Sequence, residues 1–246
     1  NVMNTTMDTL LNGQILLEQP QEGYRVAIDP IFLAASIPTT PGETVLDVGT
    51  GVGAALLCLA HRASNIRVVG LEVQQELGRL ATKNVRANQM QDRCEIIIGN
   101  LLRLPPRLAA GSFHHIMANP PYFEEKNATL SKIDNKRFSN MESEATLLDW
   151  VNFAYLMVRP KGSVSFIYPV DRMDALLALM HQKFGEIIVY PLWPMMGKDA
   201  KRVIIRGRKN ILGPTRLSQG LILHEKNGKI TPEVENILRQ GFALEF

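Results

Sequence analysis

The feature that most constrains this chain is an alternation that begins near residue 44. Short β-rich runs take turns with longer stretches of helical periodicity: TVLDVG, GAALLCLAHRA, IRVVGLE, QQELGRLATKNVRANQ and CEIIIGN. A strand, a helix and a further strand imply a crossover, and successive crossovers build a parallel sheet with helices on its faces. The series continues through HHIMANP near 114–120, a helical pattern over 144–158, the strand GSVSFIYP near 162–169 and a helix over about 171–183. The expectation is an α/β, doubly wound domain whose ligand sites lie outside the carboxyl ends of the strands.

The end of the chain departs from this rhythm. EIIVYPLWP near 186–194 and KRVIIRGRK near 201–209 are separated by a connection too short for a helical crossover, so the two runs should pair antiparallel. LILHEKNGKITPEVENILRQG then offers one more strand and a closing helix, with Thr231 as N-cap and Pro232 as its first helical residue. The 246 residues suit a single domain, 1–246, with 1–43 as an N-terminal segment and 210–246 as a small C-terminal extension.

Composition narrows the setting. A net charge of +3 permits an acidic partner such as RNA without requiring one. Cys58 and Cys94 stand in apolar contexts without a metal-ligand spacing, so neither a zinc site nor a disulfide framework is expected. No apolar run approaches the roughly 20 residues of a membrane helix, and the first residues lack a secretory pattern. The expectation is a cytoplasmic protein, monomeric, with no membrane or metal partner.

VLDVGTGVG, positions 45–53, places Gly49, Gly51 and Gly53 between a hydrophobic strand and a helix. Glycines here allow a sharp turn and close approach of backbone to a ligand, and the helix that follows starts with unpaired N–H groups. A glycine turn alone joins strands to helices in many folds. Two acids sharpen it: Asp47 sits at the strand end, and Glu72 ends the next strand, where a carboxylate can accept both hydroxyls of a ribose. Turn-capping and solvated strand-end roles are the plainer alternatives for these two. The ligand reads as nucleoside-bearing, and these residues leave a dinucleotide and S-adenosylmethionine equally open.

The stretch ANPPY, 118–122, follows the fourth strand of the same sheet. An exocyclic or amide NH2 that attacks an electrophilic methyl has a delocalised lone pair, so its site should surround the nitrogen with hydrogen-bond acceptors. Asn119 offers a side-chain oxygen and the following backbone a carbonyl. Pro120 and Pro121 hold those acceptors stiffly, and Tyr122 presents a face on which a planar substrate can stack. A bare proline turn is the plainer alternative; the position of the motif beside the glycine loop argues against it.

VLDVGTGVG, Glu72 and NPPY, followed by RPKGSVSFIYP, together resemble the class I S-adenosylmethionine-dependent methyltransferases of the amino-methylating group, over residues 20–210. EGYRVAIDPIFLAA upstream and AKRVIIRGRK, LILHE and ITPE downstream look more specifically like the bacterial valine-tRNA adenine-N6-methyltransferase family, which modifies an adenine beside the anticodon. The resemblance implies a Rossmann-like, seven-stranded, mostly parallel sheet with an antiparallel last strand, S-adenosylmethionine as cofactor and tRNA as partner. It implies that Asp47, Gly49, Gly51 and Gly53 line the methionine and sugar part of the cofactor and that Glu72 holds its ribose. Asn119, Pro120 and Tyr122 would hold the target, with Pro121 beside them. Asn100 stands where many relatives carry an aspartate near the cofactor adenine; its amide oxygen can still accept a hydrogen bond. Asp29 lies in the segment expected to close over the cofactor, and Asp29–Pro30 is equally an ordinary helix start with Asp29 as N-cap. Arg25 reads as a surface or ion-pair residue.

Two basic clusters could meet RNA. The polar stretch after NPPY contains Lys126, Lys132, Lys136 and Arg137, and the last hairpin carries Lys198, Lys201, Arg202, Arg206, Arg208 and Lys209. Edge-strand cations also discourage sheet-to-sheet aggregation. His61, His114, His115, His181 and His224 lack metal-ligand spacing and read as structural or surface residues. The expected activity is methylation of an exocyclic amine, adenine N6 in tRNA near the anticodon. The rivals are a protein glutamine N5-methyltransferase, which needs an N-terminal helical domain that the residues before 44 hardly allow, a ribosomal RNA guanine-N2 methyltransferase, and an RNA-binding scaffold that keeps the fold without turnover.

Overall fold

The strand-like runs assemble side by side. The computed structural model describes residues 3–23, 27–122 and 144–246. Its elements in chain order are β1 (Thr5–Leu10), β2 (Ile15–Pro20), α1 (Asp29–Ala35), β3 (Thr44–Val48), α2 (Ala54–Arg62), β4 (Arg67–Glu72), α3 (Gln75–Ala87), β5 (Cys94–Ile98) and β6 (Phe113–Ala118). They continue with α4 (Leu147–Met157), β7 (Val158–Pro169), α5 (Met173–Met180), β8 (Phe184–Met195), β9 (Arg202–Lys209), β10 (Arg216–Leu217), β11 (Leu221–His224) and α6 (Pro232–Gln240).

Among the described residues the main sheet runs β5-β4-β3-β6-β7-β9-β8, with β10 and β11 both parallel to β8 on its outer edge. Neighbours from β5 to β7 are parallel, and β9 is antiparallel to both β7 and β8. This is the expected α/β, doubly wound architecture: seven strands with one reversed, extended by β11 as the sequence implied and by the two-residue β10. The reversal has a covalent cause, because the turn between β8 and β9 is too short to carry the chain back along the sheet.

Alternation along the buried strands divides the interior into two cores. Val45, Val68, Met117, Ile167 and Ile204 join α1 and α2 on one face of the sheet, while Leu46, Val48, Ile116, Phe166 and Ile205 join α4 and α5 on the other. Both faces are apolar, as a sheet covered on both sides requires.

The N-terminal segment contains a β1–β2 hairpin that the sequence reading did not anticipate. Leu11, Asn12 and Gly13 turn with positive φ, and the hairpin stands apart from the main sheet. Asn84 of α3 and Asn88, its C-cap, act as a substitute strand along the free edge of β2. Asn88 accepts from the Leu16 N–H at 2.9 Å and donates to its carbonyl at 2.7 Å; Asn84 does the same for Glu18 at 2.8 and 2.9 Å. Asn84 also donates to the Val52 carbonyl at 2.9 Å, which ties the hairpin to the glycine loop. Beyond the carboxyl end of α1 sits Arg62, whose guanidinium donates to the carbonyls of Ala34, Ala35 and Ile37 and adds to the backbone N–H groups that they already accept. Thr231 is the N-cap residue of α6, and Pro232 its first residue, as expected. Its hydroxyl, however, donates to the Ile222 carbonyl and docks the helix on β11 rather than capping it.

Asn84 is buried and supplies three of these hydrogen bonds. Asn84→Ala leaves the Val52 carbonyl and the Glu18 backbone without their partners, at an expected cost of about 2 kcal/mol in urea unfolding. Amide exchange at Leu16 and Glu18 should accelerate in the same variant.

Candidate active site

The site is assembled where three strands end together. Val48, the last residue of β3, pairs with Leu71 of β4 on one side and Ala118 of β6 on the other. Glu72 and Asn119, each the next residue in its chain segment, therefore flank the loop that leaves β3. Strand order reverses between β3 and β6, and in open α/β sheets a crevice opens at such a point.

The loop is shaped by its glycines and by what packs on them. Gly49 and Gly53 hold φ of 72° and 93°. The N–H groups of Gly49 and Thr50 both donate to the Leu71 carbonyl, at 2.8 and 2.9 Å. A Cβ on Gly49 would come within 2.5 Å of the Trp150 ring, so the backbone can lie flat against α4 only without a side chain. Glu72 is buried, and its two oxygens accept from the N–H groups of Gly51 and Gln74, at 2.9 and 2.8 Å. The carboxylate thus holds the loop open as well as facing the cleft.

Asp47 is buried, and the Thr50 hydroxyl donates to it at 2.7 Å. Burial pushes its carboxyl up to about 7, against the Thr50 hydrogen bond and with a further push from the charge of Glu72. Among the described residues no cation pairs with it. A buried carboxylate in this condition suits a ligand that brings its own positive charge, as the sulfonium and ammonium groups of S-adenosylmethionine would.

The cleft between these groups is lined by Val48, Gly49, Leu71, Glu72, Val73, Gly99, Asn100, Leu101, Ala145 and Trp150. Asn100 is in place, but its side-chain oxygen already accepts the Leu102 N–H at 3.0 Å, which leaves one lone pair for an adenine amine. Trp150, Thr50 and Gly70 escaped the sequence reading. Thr50 packs where a Cβ on Gly70 would sit, so that glycine in β4 is what lets Thr50 reach Asp47. Trp150 reads in sequence as one more apolar residue of a buried helix face, and nothing in its neighbours marks it.

NPPY is not part of that lining; it leaves β6 on the other side of the β3 loop, directly after Ala118, which pairs with Val48. Asn119 is half-buried, Pro120 is buried, and Tyr122 keeps 49% of its surface exposed. The Tyr122 ring meets Tyr168 edge-on, with centres 6.3 Å apart, and the Arg202 guanidinium lies 5.2 Å from its centre. Arg202 donates through Nε to Asp29 Oδ2 at 3.1 Å. A helix does start at Asp29–Pro30, but the N-cap role of Asp29 is corrected: Ile28 is the N-cap of α1, and the carboxylate makes no capping bond. Burial raises the Tyr122 phenol above its ordinary range, opposed by the charge of Arg202.

The basic cluster of the last hairpin does not act as one patch. Antiparallel β9 carries its later residues to the edge of the sheet away from Asn119. There Arg208 donates to the Lys161 carbonyl and pairs with Glu186, and Lys209 donates to the carbonyls of Tyr155 and Val158. Arg206, between the two edges, donates to the Ser36 carbonyl and packs on the Phe246 ring. Arg202 pairs in register with Pro169, at the ligand edge, and Lys198 and Lys201 lie in the turn just before it. Arg25, Lys126, Lys132, Lys136 and Arg137 lie outside the described residues.

His115 bonds Ser163 and Glu43 at the starts of the strands, far from the cleft, as a structural assignment requires. Burial lowers its pKa. Among the described residues no cluster of three or more His, Cys, Asp or Glu could hold a metal, and no helix is long and apolar enough to cross a membrane. Both cysteines are buried, with thiols pushed up to about 12 and about 11 by burial.

Residues 27–141 match the methyltransferase small domain family. A Porphyromonas gingivalis protein named tRNA1(Val) (adenine(37)-N6)-methyltransferase is 26% identical over 245 residues, covering 94% of this chain and 93% of its own. A protein of the same name from Actinobacillus pleuropneumoniae is 29% identical over 203 residues, covering 78% and 80%. Among solved structures, a predicted O-methyltransferase, protein Atu636 from Agrobacterium tumefaciens, superposes with a TM-score of 0.74 over 88% of this chain and 98% of its own. At 23% identity that likeness speaks for the fold alone.

The contact between Gly49 and Trp150 makes a direct test of the cleft. Gly49→Ala should fold yet bind S-adenosylmethionine at least tenfold more weakly by calorimetry, a loss of roughly 1.4 kcal/mol. Unchanged affinity would show that the ring gives way and that Gly49 does not set the width of the cleft.

Proposed function

We propose that the chain is a class I S-adenosylmethionine-dependent methyltransferase whose acceptor is the exocyclic N6 amine of an adenine in tRNA, near the anticodon. The observation that carries this reading is the pairing of acceptors with an exposed ring at the mouth of the cleft: Asn119 and the Pro120 carbonyl beside the half-exposed Tyr122. The curated relatives, matched over most of their length, support adenine over the other acceptors such a site would suit.

S-adenosylmethionine supplies an electrophilic methyl group on sulfur. In our assignment Asp47 and the loop of Gly49, Gly51 and Gly53 hold the methionine and sugar part, Glu72 accepts from the ribose hydroxyls, and Asn100 faces the adenine. Glu72 is held in place for this by the backbone N–H groups of Gly51 and Gln74 that it accepts from. The target base stacks on Tyr122. Asn119 Oδ1 and the Pro120 carbonyl would accept from the amine hydrogens, localising the nitrogen lone pair and stabilising the positive charge that develops as the N–CH3 bond forms and the S–CH3 bond breaks, its electron pair returning to sulfur and S-adenosylhomocysteine leaving. The methylated nitrogen then sheds one proton to solvent. No general base is required, so the work of the site is positioning. In-line displacement needs the nitrogen aimed at the methyl, and the two fixed prolines limit where those acceptors can point.

Lys198 and Lys201, on the ligand edge, and Pro121, Lys132, Lys136 and Arg137, near the target residues in sequence, are proposed to contact the tRNA. One chain supplies every group named, so the proposal has it acting as a monomer and a single catalytic unit, in the cytoplasm where tRNA is matured.

Radiolabelled methyl transfer to undermodified tRNA, followed by nucleoside chromatography, tests the reading. Label in N6-methyladenosine is the expected result; label confined to protein would move the acceptor to a glutamine amide, and label in N2-methylguanosine would move it to guanine. Asn119→Ala should lower kcat roughly 100-fold, while cofactor affinity stays within about twofold.

Asp47 adds a pH dependence. Its folded pKa is raised to about 7 in the ligand-free protein, so below that pH a cationic cofactor must displace a proton to meet the carboxylate. Affinity for S-adenosylmethionine should rise by up to about tenfold per pH unit between pH 5 and 7 and level off above. Asp47→Asn should bind more weakly and without this slope.

A further inference from the structure

Tyr122 is held by residues from distant parts of the chain. Asp29 opens α1, Tyr168 closes β7 and Arg202 opens β9, yet all of them meet at this one ring. We propose that Asp29 and Arg202 are positioning residues: they fix the Tyr122 ring at the mouth of the site before any substrate arrives. The inference rests on the methyl-transfer reading above and reassigns both residues, Asp29 from the cofactor and Arg202 from the RNA backbone.

The geometry favours this over direct ligand binding. Arg202 spends Nε on Asp29 and points Nη1 at the Lys201 carbonyl, 3.3 Å away. Its charge is compensated by a carboxylate only 16% exposed, and a guanidinium already matched in this way makes a poor anchor for phosphate. What it offers instead is a planar group against an aromatic ring. Tyr168 is buried and meets the ring edge-on, while 49% of the Tyr122 surface stays exposed for a base. Among the described residues the further charge acting on the ring is Asp171, which follows β7. A half-exposed tyrosine without these neighbours would be free to turn about its side-chain bonds, and a base stacking on it would first have to order it.

The test reads the ring directly. Protein labelled with 3-fluorotyrosine is examined by fluorine NMR without ligand, and Tyr122→Phe identifies the signal. A single sharp line displaced from free fluorotyrosine is expected, and Asp29→Asn and Arg202→Gln should each broaden it and move it toward the free position. A Tyr122 signal unchanged in both variants overturns the proposal. In methyl transfer to tRNA, Arg202→Gln should lower kcat about tenfold with cofactor affinity within twofold. In a Tyr122→Ala background the same change should cost nothing further; a full tenfold loss there, with a weakened salt dependence, would make Arg202 a phosphate contact and overturn the inference. If the wild-type protein methylates no RNA, the substrate reading fails, and the fluorine signal still decides whether the ion pair fixes the ring.

Discussion

Glu72, the glycine loop and Asn119 owe their shared position to β3 lying between β4 and β6. The parallel ladder aligns their carboxyl ends within one residue, so the loop after β3 emerges with Glu72 on one side and Asn119 on the other. No local interaction could bring these residues together, since 46 positions of chain separate Glu72 from Asn119. The hydrogen-bonded register does it, and burial on both faces fixes that register, because a slip by one residue would move each apolar side chain to the wrong core. A one-residue slip of β6 would also place a backbone group or a proline where the Asn119 amide now stands.

This arrangement puts two carboxylates near one loop, and it copes with them by different means. Glu72 is neutralised locally by backbone N–H donors, an interaction that also shapes the glycine turn. Asp47 receives one hydroxyl and no cation among the described residues, so its ionised form is disfavoured until a positive ligand arrives. The fold thus carries an electrostatic deficit at Asp47 that a positive charge brought beside it would relieve. Replacing Asp47 by an apolar residue would remove the deficit and with it the reason for a cation to bind there.

The parts that could be read from sequence are those in which one segment carries its own signal. Strand–helix alternation gives the parallel sheet, the short 196–201 turn gives the antiparallel β9, and D-x-G-x-G-x-G and NPPY mark the segments that leave β3 and β6. The N-terminal hairpin was legible too, through Asn12–Gly13 between runs of TTMDTL and ILLEQP, a strong two-strand signal that went unread. Trp150 and the Asp29–Arg202 pair were not legible. Their roles exist only once α4 packs on the glycine loop and β9 returns beside β7. An aspartate before a proline gives a helix start the same appearance whether its carboxylate caps the helix or reaches an arginine 173 positions away.

The same limit governs charge. Arg202, Arg206, Arg208 and Lys209 are alike in sequence and close together, and a count of cations treats them as one footprint for RNA. Strand direction separates them. Running antiparallel to β7, β9 starts at the ligand edge and finishes at the far one, so successive cations meet an aspartate, a helix carbonyl with an aromatic ring, a glutamate and the backbone after α4. With those four engaged, attraction for a polyanion falls to lysines that emerge from turns, Lys198 and Lys201 beside the target pocket among them. A net charge of +3 is compatible with RNA binding, and Lys198 and Lys201 stand in the turn that enters β9 at the edge where Arg202 pairs with Pro169.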